Sequence, residues 1–188
     1  MRITGGIHRS RRLVAPGGSG TRPTADRVRE ALFSILSARS ALSGAAVLDL
    51  YAGTGALGLE ALSRGAREAV FVESERAALD ALRKNVESLG EKARTRVVAG
   101  PVERCMARIG GPFTLLVCDP PYADLARAAR VLEEIARGGT LAAGAVVVVE
   151  HASRDEPPEI AHLTRVDART YGDTAISIYE LSQAAGSV

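Results

Sequence analysis

Residues 46–58 read Ala-Val-Leu-Asp-Leu-Tyr-Ala-Gly-Thr-Gly-Ala-Leu-Gly, a short apolar run that ends in an acid, a glycine loop and the start of a helical pattern. Gly53 and Gly55 permit a tight turn and let backbone approach a ligand without Cβ obstruction. The unpaired N–H groups that open the next helix then face that ligand, and Thr54 sits between the two glycines. Gly58 completes a Gly-x-Gly-x-x-Gly spacing, and Glu73 follows Gly53 by twenty residues, at the end of the next apolar run. A carboxylate there can accept hydrogen bonds from two ribose hydroxyls. The spacing implies a ribose-bearing cofactor across the carboxyl ends of the first strands, and does not by itself separate a nicotinamide cofactor from S-adenosylmethionine. Asp49 shifts the balance toward the second: an acid here can hold a methionine ammonium and would repel a pyrophosphate. Tyr51 is expected to line the methionine pocket, with Ser74 beside Glu73 and Gly100 after the third strand completing the cofactor contacts.

Outward from this loop, short apolar runs alternate with helical stretches. Strands are expected at Ala46–Leu50, Ala69–Val72, Thr95–Val98, Thr114–Cys118 and Ala145–Val149, and helices at Leu57–Ser63, Arg76–Leu89, Val102–Ile109 and Leu125–Ala136. Uniformly apolar strands alternating with helices predict an α/β fold, a mostly parallel sheet covered on both faces. Leu163–Thr170 and Ala175–Leu181 read as a final hairpin across Tyr171-Gly172-Asp173-Thr174, so the sheet should end in an antiparallel pair. A helix from an N-cap at Thr24 to about Ala38 carries a core-facing stripe at Val28, Leu32, Ile35 and Leu36, with its arginines off the stripe. Residues 1–21, with six glycines and prolines, read as an arm with weak strands at Ile3–Ile7 and Arg11–Val14, and residues 22–188 as one domain.

The chain has 188 residues, 46% of them hydrophobic, which suffices for one core. Its formal net charge is +2, but residues 1–30 hold seven arginines against Asp26 and Glu30, a local +5 that leaves −3 on the remainder. A basic arm on a mildly acidic body suits a phosphate-backbone partner. Arg9, Arg11, Arg12, Arg22, Arg27 and Arg29, with Thr24, are the candidate nucleic-acid contacts; the competing reading is solvated or intrahelically paired arginines, such as Arg27 with Glu30. His8 is expected to be solvated. Two cysteines, Cys105 and Cys118, and the lack of a leader or a membrane-length apolar run point to a soluble, cytoplasmic protein. His151 and His162 have no metal-ligand spacing with either cysteine, so no metal is expected.

Asp119-Pro120-Pro121-Tyr122 follows the apolar run ending at Cys118, so it lies on the same rim as the glycine loop. Two prolines fix two φ angles and donate no N–H, leaving a stiff backbone with free carbonyls. An exocyclic amine on a nucleobase is a poor nucleophile because its lone pair is delocalised into the ring. The Asp119 carboxylate and the Pro120 carbonyl can each accept one of its N–H bonds, bias the nitrogen toward pyramidal geometry and aim its lone pair at an activated methyl. The base must be unpaired or flipped to reach them, and Tyr122 offers an aromatic face on which it can stack.

Met1-Arg-Ile-Thr-Gly-Gly6, Arg22-Pro-Thr-Ala-Asp-Arg-Val-Arg-Glu-Ala-Leu-Phe33, Leu50–Arg64 and Tyr171-Gly-Asp-Thr174, together with Asp-Pro-Pro-Tyr, resemble the bacterial 16S ribosomal RNA guanine-N2 methyltransferases of the guanine-966 type. The resemblance spans nearly the whole chain and places it among class I S-adenosylmethionine-dependent methyltransferases. It implies a Rossmann-like, seven-stranded sheet with the last strand antiparallel. It implies methylation of one guanine on an assembled or assembling 30S subunit; separately, the chain is expected to act as a monomer. It also implies catalytic roles for Asp119, Pro120 and Tyr122 and cofactor roles for Gly53, Gly55 and Glu73. One departure stands out: Val98-Ala-Gly-Pro-Val102 lacks the acid that many relatives set against the adenine amine. Rival readings are an adenine-N6 methyltransferase on DNA or RNA, an amide methyltransferase of proteins, a nicotinamide oxidoreductase and a non-catalytic RNA-binding module. The tetrapeptide serves adenine N6 equally well, but 188 residues leave little room for a separate DNA-reading region.

Overall fold

A computed structural model describes residues 1–16 and 23–182, with backbone alone for residues 23–25. Seven strands, β1 (Ala46–Leu50), β2 (Glu68–Glu73), β3 (Thr95–Ala99), β4 (Phe113–Cys118), β5 (Leu141–Ala152), β6 (Leu163–Tyr171) and β7 (Thr174–Leu181), form one sheet in the order β3-β2-β1-β4-β5-β7-β6. The pairs among β1 to β5 are parallel, and β7 runs antiparallel to both of its neighbours. Five helices, α1 (Pro23–Ala38), α2 (Ala56–Ser63), α3 (Arg76–Leu89), α4 (Val102–Ile109) and α5 (Leu125–Arg137), cover it.

Alternation along the central strands divides the core in two. Val47, Phe71, Leu115, Val117, Val146 and Val148 pack with α1, α2 and α3 through Leu32, Phe33, Leu36, Leu59, Leu62, Leu82 and Val86. Leu48, Leu50, Val70, Val72, Leu116, Val147 and Val149 pack with α4 and α5 through Cys105, Ile109, Val131, Leu132 and Ile135. Both faces being covered, each strand needs apolar residues at successive positions, and this is why β1 is buried throughout.

The structure corrects three expectations. Helix α1 begins at Pro23, where a proline's fixed φ and missing N–H suit the first helical position, so Thr24 lies inside the helix rather than capping it. Strand β5 runs from Leu141 to Ala152, well beyond Ala145–Val149, because Glu150, His151 and Ala152 continue the ladder against β7 at Ile176, Ala175 and Thr174. Third, the first residues form a hairpin-like loop with a single bridge between Arg2 and Arg12 and a short 3-10 turn at Gly6–His8, in place of two strands. Ile3 and Leu13 of this loop are buried in the first core cluster.

Candidate active site

Strand β1 ends beside the glycine loop, and the loop's backbone follows from its glycines. Gly53 and Gly55 have φ of +55° and +79°. A Cβ on Gly55 would stand 2.3 Å from Leu82 Cδ1, whereas one on Gly53 would meet nothing within 4 Å. Gly55 therefore serves the fold, and Gly53 faces open space. Gly58 lets α2 close on the sheet, since a Cβ there would stand 2.4 Å from the Phe71 ring.

Two carboxylates hold this loop. Asp49 is buried, and its Oδ2 accepts the Gly58 N–H at 2.9 Å. Burial pushes its pKa well up; the Gly58 hydrogen bond opposes the rise, and the charges of Asp119 and Glu73 add to it. Glu73 Oε2 accepts the Gly53 N–H at 2.7 Å, while Oε1 accepts from Ser74 and Glu75 N–H. Three backbone donors thus fix a carboxylate that has room for about four hydrogen bonds. The Glu73 carbonyl accepts the Gly100 N–H at 2.8 Å, which ties the end of β3 to the same rim. The Thr54 carbonyl accepts from the Asn85 amide at 3.0 Å. Tyr51, with φ of +56°, does not join Asp49 and Glu73 on the first face. It packs against the second cluster, and its hydroxyl is buried without a hydrogen-bond partner.

Asp119, Pro120 and Pro121 lead from β4 into a 3-10 turn that begins at Tyr122. Pro120 is buried, while Asp119, Pro121 and Tyr122 are exposed. Asp119 and Tyr122 open into a cavity of about 700 Å³ shared with Met1, Arg29, Leu32, Leu57 and Glu150. The hairpin turn contributes Tyr171, Asp173 and Thr174 to its wall, and the Tyr122 and Thr174 hydroxyls lie 3.5 Å apart. Water reaches Asp119 through the mouth, but the surrounding protein strips enough of it to raise the carboxyl's pKa to about 6. Desolvation raises Glu150 to about 8, with the Asp119 charge adding to the rise and Arg29 opposing it.

Glu150 is the site residue the sequence reading missed. Its signal was an acid directly after a four-valine run, at the strand end that carries ligands in open α/β sheets.

The candidate arginines separate into three groups. Arg9, Arg11, Arg12 and Arg27 are exposed. Arg9 and Arg27 line a second cavity, about 500 Å³, with Arg2, Asp26 and Glu30, and Arg11 donates to the Ser88 carbonyl at 2.7 Å. Arg29 is turned inward, 5% exposed, donating to Asp26 Oδ1 at 2.8 Å and lying 3.6 Å from Glu60. It is an internal ion-pair residue whose remaining exposure lies on the wall of the Asp119 cavity, and the intrahelical pair is Asp26 with Arg29 rather than Arg27 with Glu30. Arg22 lies outside the described residues, as does the Thr24 side chain.

His8 is not solvated. Its Nε2 lies 2.6 Å from Glu91 Oε1, and Glu91 also accepts from Arg94. Cys105 and Cys118 are free and buried, His151 is buried against the Ser177 hydroxyl, and no metal-binding cluster occurs among the described residues. No described helix is long and apolar enough to cross a membrane.

Comparison with known proteins places this geometry. Residues 1–180 match the family model described as Conserved hypothetical protein 95. Ribosomal RNA small subunit methyltransferase D of Escherichia coli K12 is 37% identical over 183 residues, covering 96% of this chain and 89% of its own. The Haemophilus influenzae protein of the same name is 30% identical over 187 residues, at 96% and 93%. Among solved structures, an E. coli chain described as a candidate methyltransferase superposes with a TM-score of 0.83 at 36% identity, over 97% of this chain and 98% of that one. A Thermus thermophilus protein gives 0.76 at 35% identity, over 95% and 98%. With a shared fold, relatives matched over nearly their whole length and a family model spanning all but the last residues, the chain belongs to the Conserved hypothetical protein 95 family, with the class I methyltransferase fold.

Proposed function

We propose that this chain transfers a methyl group from S-adenosylmethionine to the exocyclic N2 amine of a guanine in 16S ribosomal RNA of the small subunit. The observation that carries the reading is the Asp119-Pro120-Pro121-Tyr122 turn opening into a cavity beside the glycine loop. The names of the relatives, ribosomal RNA small subunit methyltransferases, support the substrate class.

The residues present fit the cofactor. Gly53 leaves open space next to Glu73, and the carboxylates of Asp49, Glu73 and Asp119 suit a molecule that carries a sulfonium and an ammonium. Glu73 would accept from a ribose hydroxyl at the position its three backbone donors leave free, and Asp49 would hold the ammonium, with Thr54, Gly55, Ser74 and Gly100 supplying the loop backbone around them. When bound, the cofactor supplies an electrophilic methyl. Everything else is positioning by the chain's own groups. Asp119 and the Pro120 carbonyl accept the two N–H bonds of the amine, and Tyr122 stacks on the base. With its pKa at about 6, Asp119 is mostly ionised at neutral pH, ready to accept and then to take the proton the methylated amine releases. Arg9, Arg11, Arg12, Arg22 and Arg27 would neutralise backbone phosphates, and we assign the partner as the assembled or assembling 30S subunit, met by a cytoplasmic monomer.

The test supplies radiolabelled S-adenosylmethionine with 30S particles, naked 16S RNA or duplex DNA, followed by nucleoside analysis. Label in small-subunit RNA as N2-methylguanine is expected. Label as N6-methyladenine, or in DNA alone, overturns the proposal. Calorimetry showing no cofactor binding with or without RNA would also overturn it, in favour of an RNA-binding module.

A further inference from the structure

The Glu150 carboxyl stands level with Asp119. Strands β4 and β5 are parallel neighbours with Cys118 opposite Val149, so the next step along each brings Asp119 beside Glu150. Val117 and Val148 belong to the first core cluster, and two-residue alternation sends both acids to that same face of the sheet. Both line the 700 Å³ cavity with Tyr122. Neither carboxyl has a hydrogen-bond partner among the described residues, although Glu60, Glu73 and Glu91 in the same molecule each hold two or more. Two carboxyls with no protein partner, side by side in one cavity, leave their hydrogen-bonding positions free for a single ligand.

We propose that Glu150 is the residue that reads the N1–H/O6 edge of the target guanine, beside the N2 amine held by Asp119. This inference rests on the guanine-N2 reading above and names the contact that selects the base. On guanine the amine, the ring N1–H and the O6 carbonyl follow one another along a single edge. With the amine on Asp119 and the Pro120 carbonyl, the groups that face the adjacent strand are a donor and then an acceptor. A protonated carboxyl complements that pair: its carbonyl oxygen accepts N1–H, and its O–H donates to O6. The environment supports this form. Burial, together with the neighbouring Asp119 charge, keeps the proton on Glu150 at neutral pH, with Arg29 only partly opposing it. The two carboxyls thus carry one proton between them and divide the work, Asp119 accepting only and Glu150 both accepting and donating.

The contact can be isolated with 2-aminopurine, which keeps the N2 amine and lacks both N1–H and O6. Small-subunit RNA carrying guanine or 2-aminopurine at the modified position is assayed for kcat/KM with wild type, Glu150→Gln and Glu150→Ala. Wild type should favour guanine by roughly ten- to a hundredfold, the scale of one good bidentate pair. Glu150→Gln, whose amide also offers an acceptor and a donor, should keep that preference. In Glu150→Ala it should collapse to near unity, with the loss falling chiefly on guanine. A preference unchanged in Glu150→Ala, or equal losses on both substrates, overturns the inference and leaves guanine-N2 methylation standing. Failure of the wild type to methylate guanine at all would sink the underlying reading instead.

Discussion

Replacing Gly53 with alanine separates a glycine kept for the fold from one kept for a ligand. Gly53 sits at φ +55°, and an alanine in this left-handed region costs about 1–2 kcal/mol. Nothing lies within 4 Å of the new Cβ, so no packing penalty is added. For a domain of this size, each kcal/mol lowers Tm by about 2–4 °C. Gly44 is the matched control. It too has a positive φ, +71°, and open space around its Cβ, but it precedes β1 at the opposite end of the sheet from the carboxyl rim. Both variants should therefore lose similar stability by calorimetry without cofactor. Only Gly53→Ala should lose affinity for S-adenosylmethionine, by at least about tenfold in titration calorimetry. That figure corresponds to about 1.4 kcal/mol, within the range of about 1–3 kcal/mol for losing one buried hydrogen-bonded contact with the ribose or its neighbours. Equal affinity in the two variants would refute the argument, since the space beside Gly53 and Glu73 would then hold no cofactor.

Three further outcomes follow. Methyl transfer should show a bell-shaped pH profile in kcat/KM with limbs near pH 6 and 8, because Asp119 must be ionised and Glu150 protonated. Arg29, Tyr122, Arg154 and Asp173 share that cavity wall and are present in both forms compared; Glu150→Gln should abolish the alkaline limb alone, and its persistence would assign that limb to another group. Glu60 is fully buried and accepts from Thr4 N–H, the Thr4 hydroxyl, Gly5 N–H and Arg64, with Arg29 at 3.6 Å. Glu60→Gln should cost about 3–5 kcal/mol, a fall of roughly 10 °C in Tm, and should release the first residues to proteolysis; wild-type stability would show the cluster to be energetically idle. Changing Arg9, Arg12 and Arg27 to glutamine should make the slope of log affinity for RNA against log salt shallower, by about one for each phosphate no longer neutralised, with cofactor binding intact; an unchanged slope would remove these residues from the RNA interface.

The fold was legible because a sheet covered on both faces demands unbroken apolar strands. Val-Leu-Asp-Leu before the glycine loop and Thr-Leu-Leu-Val-Cys before Asp119 announce themselves without any alternation. The helices that cover such a sheet begin and end at glycines, prolines and capping residues, and α3 and α4 start and stop where the pattern places them. What stayed hidden depended on tertiary neighbours. Glu150 and His151 break the apolar run of β5, so the strand appeared to end at Val149; the ladder against β7 carries it three residues further. Arg29 looked like one more surface cation in a basic stretch. Only its packing against Asp26 and Glu60 shows it to be internal, because a charge can be buried where partners from other elements meet it. The same holds for His8, whose partner Glu91 lies 83 residues away.

The acids of the rim bear on which part of a nucleic acid can enter. Four adjacent strands, β2, β1, β4 and β5, end in or near Glu73, Asp49, Asp119 and Glu150, on the face that α1, α2 and α3 cover. Their charges oppose one another: Asp119 and Glu73 raise Asp49, and Asp119 raises Glu150. Asp49, Asp119 and Glu150 resist ionisation, which is costly to a folded chain and persists where a cation or a set of N–H donors relieves it. A sulfonium, an ammonium and the donor edge of a guanine are such partners. A phosphate is the opposite, and at the rim it would meet repulsion in a medium poorly screened by water. Arg2, Arg9 and Arg27, among the exposed arginines of the first thirty residues, line a separate cavity outside the acidic row. On the proposed function, an RNA strand would be sorted by charge as it docks, its backbone held at the arm and an unpaired base entering the cavity.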